Sequence, residues 1–178
     1  MALLLGAVAS GLASIGADSF AFERLLELGG YERWVLVFNH LTATGLLGSV
    51  MLAMVLGHFY LVIPKLSIEH LELLTKVLMA AIAARIVSLA STVLVFRAVK
   101  AVPFSAMIFE LALRQGIFFW PRILFGVVAP IVLAGMIWST VQLKHTQAAT
   151  GLLYLAVVAV LFGEFFSKFL LFAVNLPL

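Results

Sequence analysis

Cysteine is absent from this chain of 178 residues. Without cysteine the chain forms no disulfide, holds no iron–sulfur cluster and offers no thiolate to a metal or a substrate. Any redox centre must therefore use histidine or belong to a partner protein. The sequence also lacks a glycine-rich nucleotide loop, an H-E-x-x-H motif and a serine nucleophile elbow, so a stand-alone hydrolase is not expected.

Charge is scarce as well. Only 11% of the residues are charged and 65% are hydrophobic, and the mean hydropathy is +1.22. This composition exceeds what the core of a soluble domain needs and predicts an all-α integral membrane protein. The net charge of +3 is modest, and Lys and Arg in a membrane chain mostly mark orientation. We therefore expect lipid and other membrane proteins as partners, and no nucleic acid.

The apolar runs predict the number of spans. A bilayer core is crossed by about 20 apolar residues in a helix. The chain has five apolar runs, so the sequence predicts a single bundle of about five transmembrane helices, with spans at residues 2–17, 34–63, 71–96, 119–143 and 151–174. Two further stretches, 19–34 and 104–116, mix charge with Phe and Leu and predict short amphipathic helices at the interface.

Basic residues predict the orientation of this bundle. With five spans, six cationic residues fall on one side and three on the other, and the richer side is expected to be cytoplasmic. This places the N-terminus outside and the C-terminus inside a bacterial inner membrane. The richer side holds Arg24, Arg33, Arg97, Lys100, Arg114 and Arg122, and the poorer side holds Lys65, Lys76 and Lys144.

A few charged residues lie inside the apolar runs. Arg85 is 13 residues beyond the outer start of its span at Glu72. Glu164 is likewise 13 residues beyond Gly151, so both lie about 20 Å deep at 1.5 Å per residue. A buried Arg costs about 2.5–3.5 kcal/mol at a helix centre and needs a partner, which predicts an Arg85–Glu164 ion pair. The predicted cluster in the cytoplasmic half comprises His40, Arg85, Arg122, Glu164 and Lys168.

Two interpretations of this cluster remain open. In the structural one, the charges neutralise one another and fix the register of the helices, while Arg122 and Lys168 extend to the lipid headgroups. In the functional one, the cluster binds the headgroup of menaquinone or ubiquinone, or transfers protons. A quinol needs hydrogen-bond partners for two oxygens and a group that accepts protons, and Glu164 is the candidate acceptor.

Small residues and a proline predict how the helices pack. Gly45, Ser49, Ala53 and Gly57 recur at every fourth position, which favours a close approach of another helix. Pro130 lacks the amide that would bond the carbonyl one turn earlier, so it predicts a kink in its span.

The four histidines allow a different function. His40 and His58 are 18 residues apart, which is five helical turns and puts both on one face. His70 or His145 could supply the second axial ligand of an outer haem b beside His58, whereas His40 has no second histidine on its side. The alternatives are therefore a b-type membrane cytochrome, or a small transporter, channel or purely structural subunit.

The last third of the chain resembles the closing helices of a known family. "FFWPRILFGVVAPIVLAGMIW" and "ATGLLYLAVVAVLFGEFFSKFLLF" are similar to the quinol-interacting membrane anchors of the polysulfide-reductase and DMSO-reductase family. The resemblance implies a chain that binds no haem, holds a quinone among its helices and passes electrons to an iron–sulfur subunit. It also implies a non-catalytic or quinone-binding subunit of a respiratory or photosynthetic complex. The chain departs from the family in size, because the anchors usually have eight or more helices, and a relative of about half that length would pack against other membrane subunits. The matching positions are Trp120, Gly126, Pro130, Gly163, Lys168 and Phe169.

Overall fold

The structure is a computed structural model that describes residues 10, 11, 13–17, 30–63, 67–100, 105 and 109–174. These ranges are almost entirely helical and contain no strand. Four long helices form the fold. They are α1 (Gly30–Val62), α2 (Glu69–Lys100), α3 (Gly116–Gln142) and α4 (Thr146–Val174).

Each of these four helices is long and apolar enough to cross a membrane. They coincide within a few residues with the predicted spans 34–63, 71–96, 119–143 and 151–174, which are confirmed as helices. The agreement arises because an uninterrupted apolar run satisfies its backbone groups in a lipid environment only as a helix. The chain thus has the architecture expected of an integral membrane protein.

The remaining predicted elements are not confirmed. Most of the predicted span 2–17 lies outside the described residues. The residues of this span that the structure does describe, 10, 11 and 13–17, are helical. Residues 18–29, the greater part of the first predicted interfacial helix, also lie outside the described residues. In the second, residues 104 and 106–108 lie outside the described residues, and Glu110–Arg114 forms a five-residue π-helical turn. Four helices of membrane-spanning length and hydropathy are therefore established, and the fifth span stays a prediction.

The four helices pack as a ring in which each touches two neighbours: α1 packs on α2 and α4, and α3 packs on α2 and α4. Leu46, Leu78, Ile137 and Leu153 lie in the core between them. The outward faces also carry large apolar side chains, which suits a bundle surrounded by lipid.

Short connections lie at one end of the bundle, which we call the loop end, and the opposite end is the far end. The α3–α4 connection needs one left-handed residue, Lys144, with φ of 59°. The His145 amide then donates to the Thr140 carbonyl at 3.0 Å and closes the end of α3. Across the other connection, the Tyr60 hydroxyl donates to the carbonyl of Ser67.

The small residues of α1 pack as predicted in part. Ser49, Ala53 and Gly57 are buried, whereas Gly45 is exposed. At Gly57 the helices α1 and α4 approach so closely that the Thr150 hydroxyl donates to the Gly57 carbonyl at 2.9 Å.

A π-helical segment, Leu124–Val128, interrupts α3. The Ala129 amide donates to the carbonyl of Leu124, five residues earlier, instead of four. Because Pro130 has no amide, the α-helical bond to the Gly126 carbonyl is impossible. The disturbance that Pro130 predicts therefore takes the form of a widened turn immediately before it.

Candidate functional site

Arg85 and Glu164 form the predicted ion pair. Arg85 Nε donates to Glu164 Oε1 at 3.1 Å, and Arg85 Nη2 donates to Oε2 at 2.9 Å. The Arg85 side chain is 1% exposed and that of Glu164 is 15% exposed. Two parallel hydrogen bonds make this the strongest geometry for an arginine and a carboxylate, and they fix the distance between α2 and α4.

Arg85 also bonds to α1. Its Nη1 donates to the backbone carbonyl of Asn39 at 2.9 Å and lies 3.4 Å from Thr42 Oγ1. Sequence reasoning missed both acceptors and named His40, the neighbour of Asn39, which is also buried. The Arg85 guanidinium thus joins three helices.

Arg122 brings a second guanidinium to the same carboxylate. Its Nη2 lies 3.8 Å from Glu164 Oε1, which is an ion-pair contact beyond hydrogen-bond length. We call Arg85, Glu164 and Arg122 the Arg–Glu–Arg cluster. Because Arg85 also bonds to the Asn39 carbonyl of α1, all four helices contribute to one polar centre. This centre lies in the half of the bundle nearer the far end.

The direction of the Arg122 side chain differs from the one that the structural interpretation predicts. Arg122 lies six residues into α3 from the far end, and side chains on a helix tilt toward its N-terminus. A snorkelling arginine would follow that tilt to the surface. Instead the guanidinium lies over Gly126, one turn deeper, and the side chain is only 1% exposed. The expectation that Arg122 reaches the headgroups is therefore wrong.

Two glycines lie beside the Arg–Glu–Arg cluster, where α3 meets α4. A Cβ built on Gly163 would lie 2.5 Å from the Cα of Gly126, so the backbones of α3 and α4 meet at these residues. A Cβ built on Gly126 would lie 1.7 Å from Arg122 Nη1. The helices thus touch beside the cluster, and the guanidinium fills the space that a side chain at position 126 would take.

Aromatic rings pair across the α3–α4 contact near the cluster. Phe118 precedes Arg122 by one turn and stacks on Phe169 with ring centroids 3.7 Å apart. The ring centroid of Phe166 lies 6.4 Å from that of Phe118. Toward the loop end, the ring centroids of Phe125 and Phe162 lie 5.9 Å apart. Phe125, Phe162 and Phe169 are exposed, so these pairs also form part of the outer surface of the bundle.

Lys168, the last member of the predicted cluster, is half-buried one turn beyond Glu164 on α4. The Arg–Glu–Arg cluster alone sets two cations against one anion. Such a centre can donate several N–H groups to an oxygen acceptor or an anion. Among the described residues, no three or more His, Cys, Asp or Glu side chains are grouped so that they could hold a metal ion.

Buried polar side chains concentrate in the same half of the bundle. Ser88, one turn beyond Arg85, is fully buried, and its hydroxyl makes no hydrogen bond among the described residues. The loop-end half contains Ser49, Thr75 and Thr150, whose hydroxyls bond to backbone carbonyls. The buried polar residues of the far-end half are Asn39, His40, Thr42, Arg85, Ser88, Thr92, Arg122 and Ser167.

The histidines named as haem ligands are exposed near the loop end, and each has its own surroundings. His58 Nδ1 lies 3.2 Å from the Tyr154 hydroxyl. His70 Nδ1 lies 3.4 Å from the carbonyl of Ser67. His145 lines an open hollow of about 330 Å³ at the α3–α4 connection. The haem between His58 and either His70 or His145 stays an untested prediction.

No protein-family model, curated protein or solved structure matches the chain. The resemblance to the quinol-interacting membrane anchors therefore stays a prediction. We infer the function of the chain from the geometry of the Arg–Glu–Arg cluster.

Proposed function

We propose that this chain is a small polytopic subunit of a respiratory or photosynthetic membrane redox complex and binds a quinone headgroup beside the Arg–Glu–Arg cluster. The observation that carries the proposal is the Arg122 guanidinium, which lies a turn deeper than its backbone instead of reaching the surface.

Neutralisation of Glu164 does not explain this arrangement. Both carboxylate oxygens already accept hydrogen bonds from Arg85. A second guanidinium at this depth costs about 2.5–3.5 kcal/mol, and Arg122 approaches the carboxylate only to 3.8 Å. A guanidinium in this position can donate to a ligand with acceptor oxygens.

A quinone headgroup matches the neighbouring surfaces. It is a flat ring with two carbonyl oxygens, which become more negative on reduction and accept N–H donors more strongly. Arg122 would supply such donors, and a quinone ring could pack against the aromatic pairs Phe118–Phe169 and Phe125–Phe162, which lie along the α3–α4 contact. Glu164, bound through both oxygens, positions Arg85. In this proposal the cluster binds the quinone and does not relay protons.

Orientation and partners follow from the same proposal. The cluster would lie in the cytoplasmic half of a bacterial inner membrane, with the N-terminus outside and the C-terminus inside. Because the chain has no cysteine, electrons would be exchanged between the menaquinone or ubiquinone and an iron–sulfur subunit, which this chain would contact together with other membrane subunits. The described buried polar residues lie mainly in one half of the bundle, which disfavours a transport path.

The test is quinone binding by the complex purified from native membranes. Bound quinone is extracted and identified, and a short-tailed quinone analogue is titrated while tryptophan fluorescence is recorded. Loss of a charge-assisted hydrogen bond in Arg122→Gln should lower the affinity for the analogue by about tenfold or more. Arg114→Gln removes the same charge from an exposed position near the far end and should bind normally. Wild-type protein without bound quinone, or equal affinities of the two variants, would refute the proposal.

A further inference from the structure

We infer that Gly126 is a positioning residue that seats the Arg122 guanidinium inside the membrane. The seat is the space left by the missing side chain of Gly126, within the π-helical segment of α3. Gly163, which faces it on α4, has a different role, because its missing side chain lets the two backbones touch.

The contacts of the two glycines separate these roles. At Gly126 the three nearest atoms to an added Cβ all belong to Arg122: Nη1 at 1.7 Å, Cζ at 2.8 Å and Cδ at 3.4 Å. At Gly163 the nearest atoms are backbone atoms, the Gly126 Cα at 2.5 Å and N at 2.8 Å. A methyl group at position 126 would therefore displace a flexible side chain, whereas one at position 163 would push two helices apart.

Gly135, which also lies in α3, has no such role, because a Cβ built on it meets nothing within 4 Å.

The displacement of the Arg122 side chain by a methyl group at position 126 has a defined direction. A guanidinium expelled from the seat returns along the tilt of its side chain toward the far end, where snorkelling stabilises it. Gly126→Ala should thus convert Arg122 from an inward to a surface-directed arginine while the Arg85–Glu164 pair stays in place.

The consequence for ligand binding depends on the proposed function, but the seat itself does not. If Arg122 donates to a quinone oxygen from its seat, Gly126→Ala should lower the affinity for the quinone analogue about as much as Arg122→Gln does. The double variant should bind no worse than either single variant, because both changes remove the same donor.

The seat is tested by arginine modification, which needs no quinone. The detergent-solubilised protein is treated with phenylglyoxal, and modification of each arginine is followed by mass spectrometry. In the wild type, Arg122 should be protected and the exposed Arg114 modified. In Gly126→Ala, the modification of Arg122 should approach that of Arg114, and in Gly135→Ala it should remain at the wild-type level. Arg85, buried in both variants, is the internal control.

Each outcome decides the inference. Continued protection of Arg122 in Gly126→Ala, or equal exposure in Gly135→Ala, overturns it. If Gly126→Ala does not assemble, Gly126→Ala with Arg122→Gln should restore assembly, since Gln has no atoms at the Cζ and Nη1 positions; failure to do so overturns it too. Exposure of Arg122 in a protein whose wild type binds no quinone would leave the seat standing and refute the proposed function.

Discussion

Glu164→Gln is expected to destabilise the bundle more than any other single change in the Arg–Glu–Arg cluster. The variant is nearly isosteric, yet Arg85 loses an anion that accepts hydrogen bonds at 3.1 and 2.9 Å. Arg85 is 1% exposed and cannot recover water. Removing one member of a buried ion pair costs about 3–5 kcal/mol.

Thermal unfolding in detergent micelles measures this cost. For a chain of this length, 1 kcal/mol corresponds to a Tm shift of about 2–4 °C. Glu164→Gln should therefore lower Tm by about 6–20 °C. Circular dichroism can follow the transition, because the described chain is almost entirely helical.

Two further variants show whether charge is the cause. Arg122→Gln keeps both hydrogen bonds between Arg85 and Glu164 and removes only the contact at 3.8 Å, so its Tm should change much less. Arg85→Gln combined with Glu164→Gln should recover part of the loss, because no buried charge is left from that pair. A charge-based cause is refuted if Glu164→Gln unfolds at the wild-type temperature, or if Arg122→Gln costs as much.

Two other predictions concern regions outside the cluster. Gly57→Ala should lower Tm, because its Cβ would lie 2.9 Å from Thr150 Oγ1. Adding Thr150→Ala should restore most of the lost Tm. If the Tm of the double variant stays as low as that of Gly57→Ala, a clash with the Thr150 hydroxyl is not the cause. Purified protein should show no Soret absorption under the proposed function, and a Soret band lost in His58→Ala would instead establish the cytochrome alternative.

Hydropathy was sufficient to predict the four helices that the structure describes. Each span boundary lies within a few residues of a predicted one, because the apolar runs end at polar residues or prolines. The π-helical segment Leu124–Val128 was beyond such reasoning. Pro130 indicates that one α-helical bond is missing, but whether the helix kinks or widens depends on the contact with α4.

The Arg85–Glu164 pair was also predictable, because a rise of 1.5 Å per residue gives the depth of any residue in a straight helix. Its acceptor on α1 was not. The Asn39 carbonyl is a backbone group that every residue carries, so side-chain identity contains no signal for it. The inward direction of Arg122 was missed for a related reason: depth rules place the Cα of a residue, whereas its guanidinium follows the space that neighbouring helices leave.

That space is set by residues without charge. The missing side chain of Gly163 lets the backbone of α4 meet that of α3 at Gly126. The missing side chain of Gly126 leaves the space that the Arg122 guanidinium fills. Because Glu164 follows Gly163 directly, the contact between the two helices lies beside the carboxylate. A methyl group at position 163 should therefore disturb the whole cluster, whereas one at position 126 should displace Arg122 alone, and neither change alters the charge of the cluster.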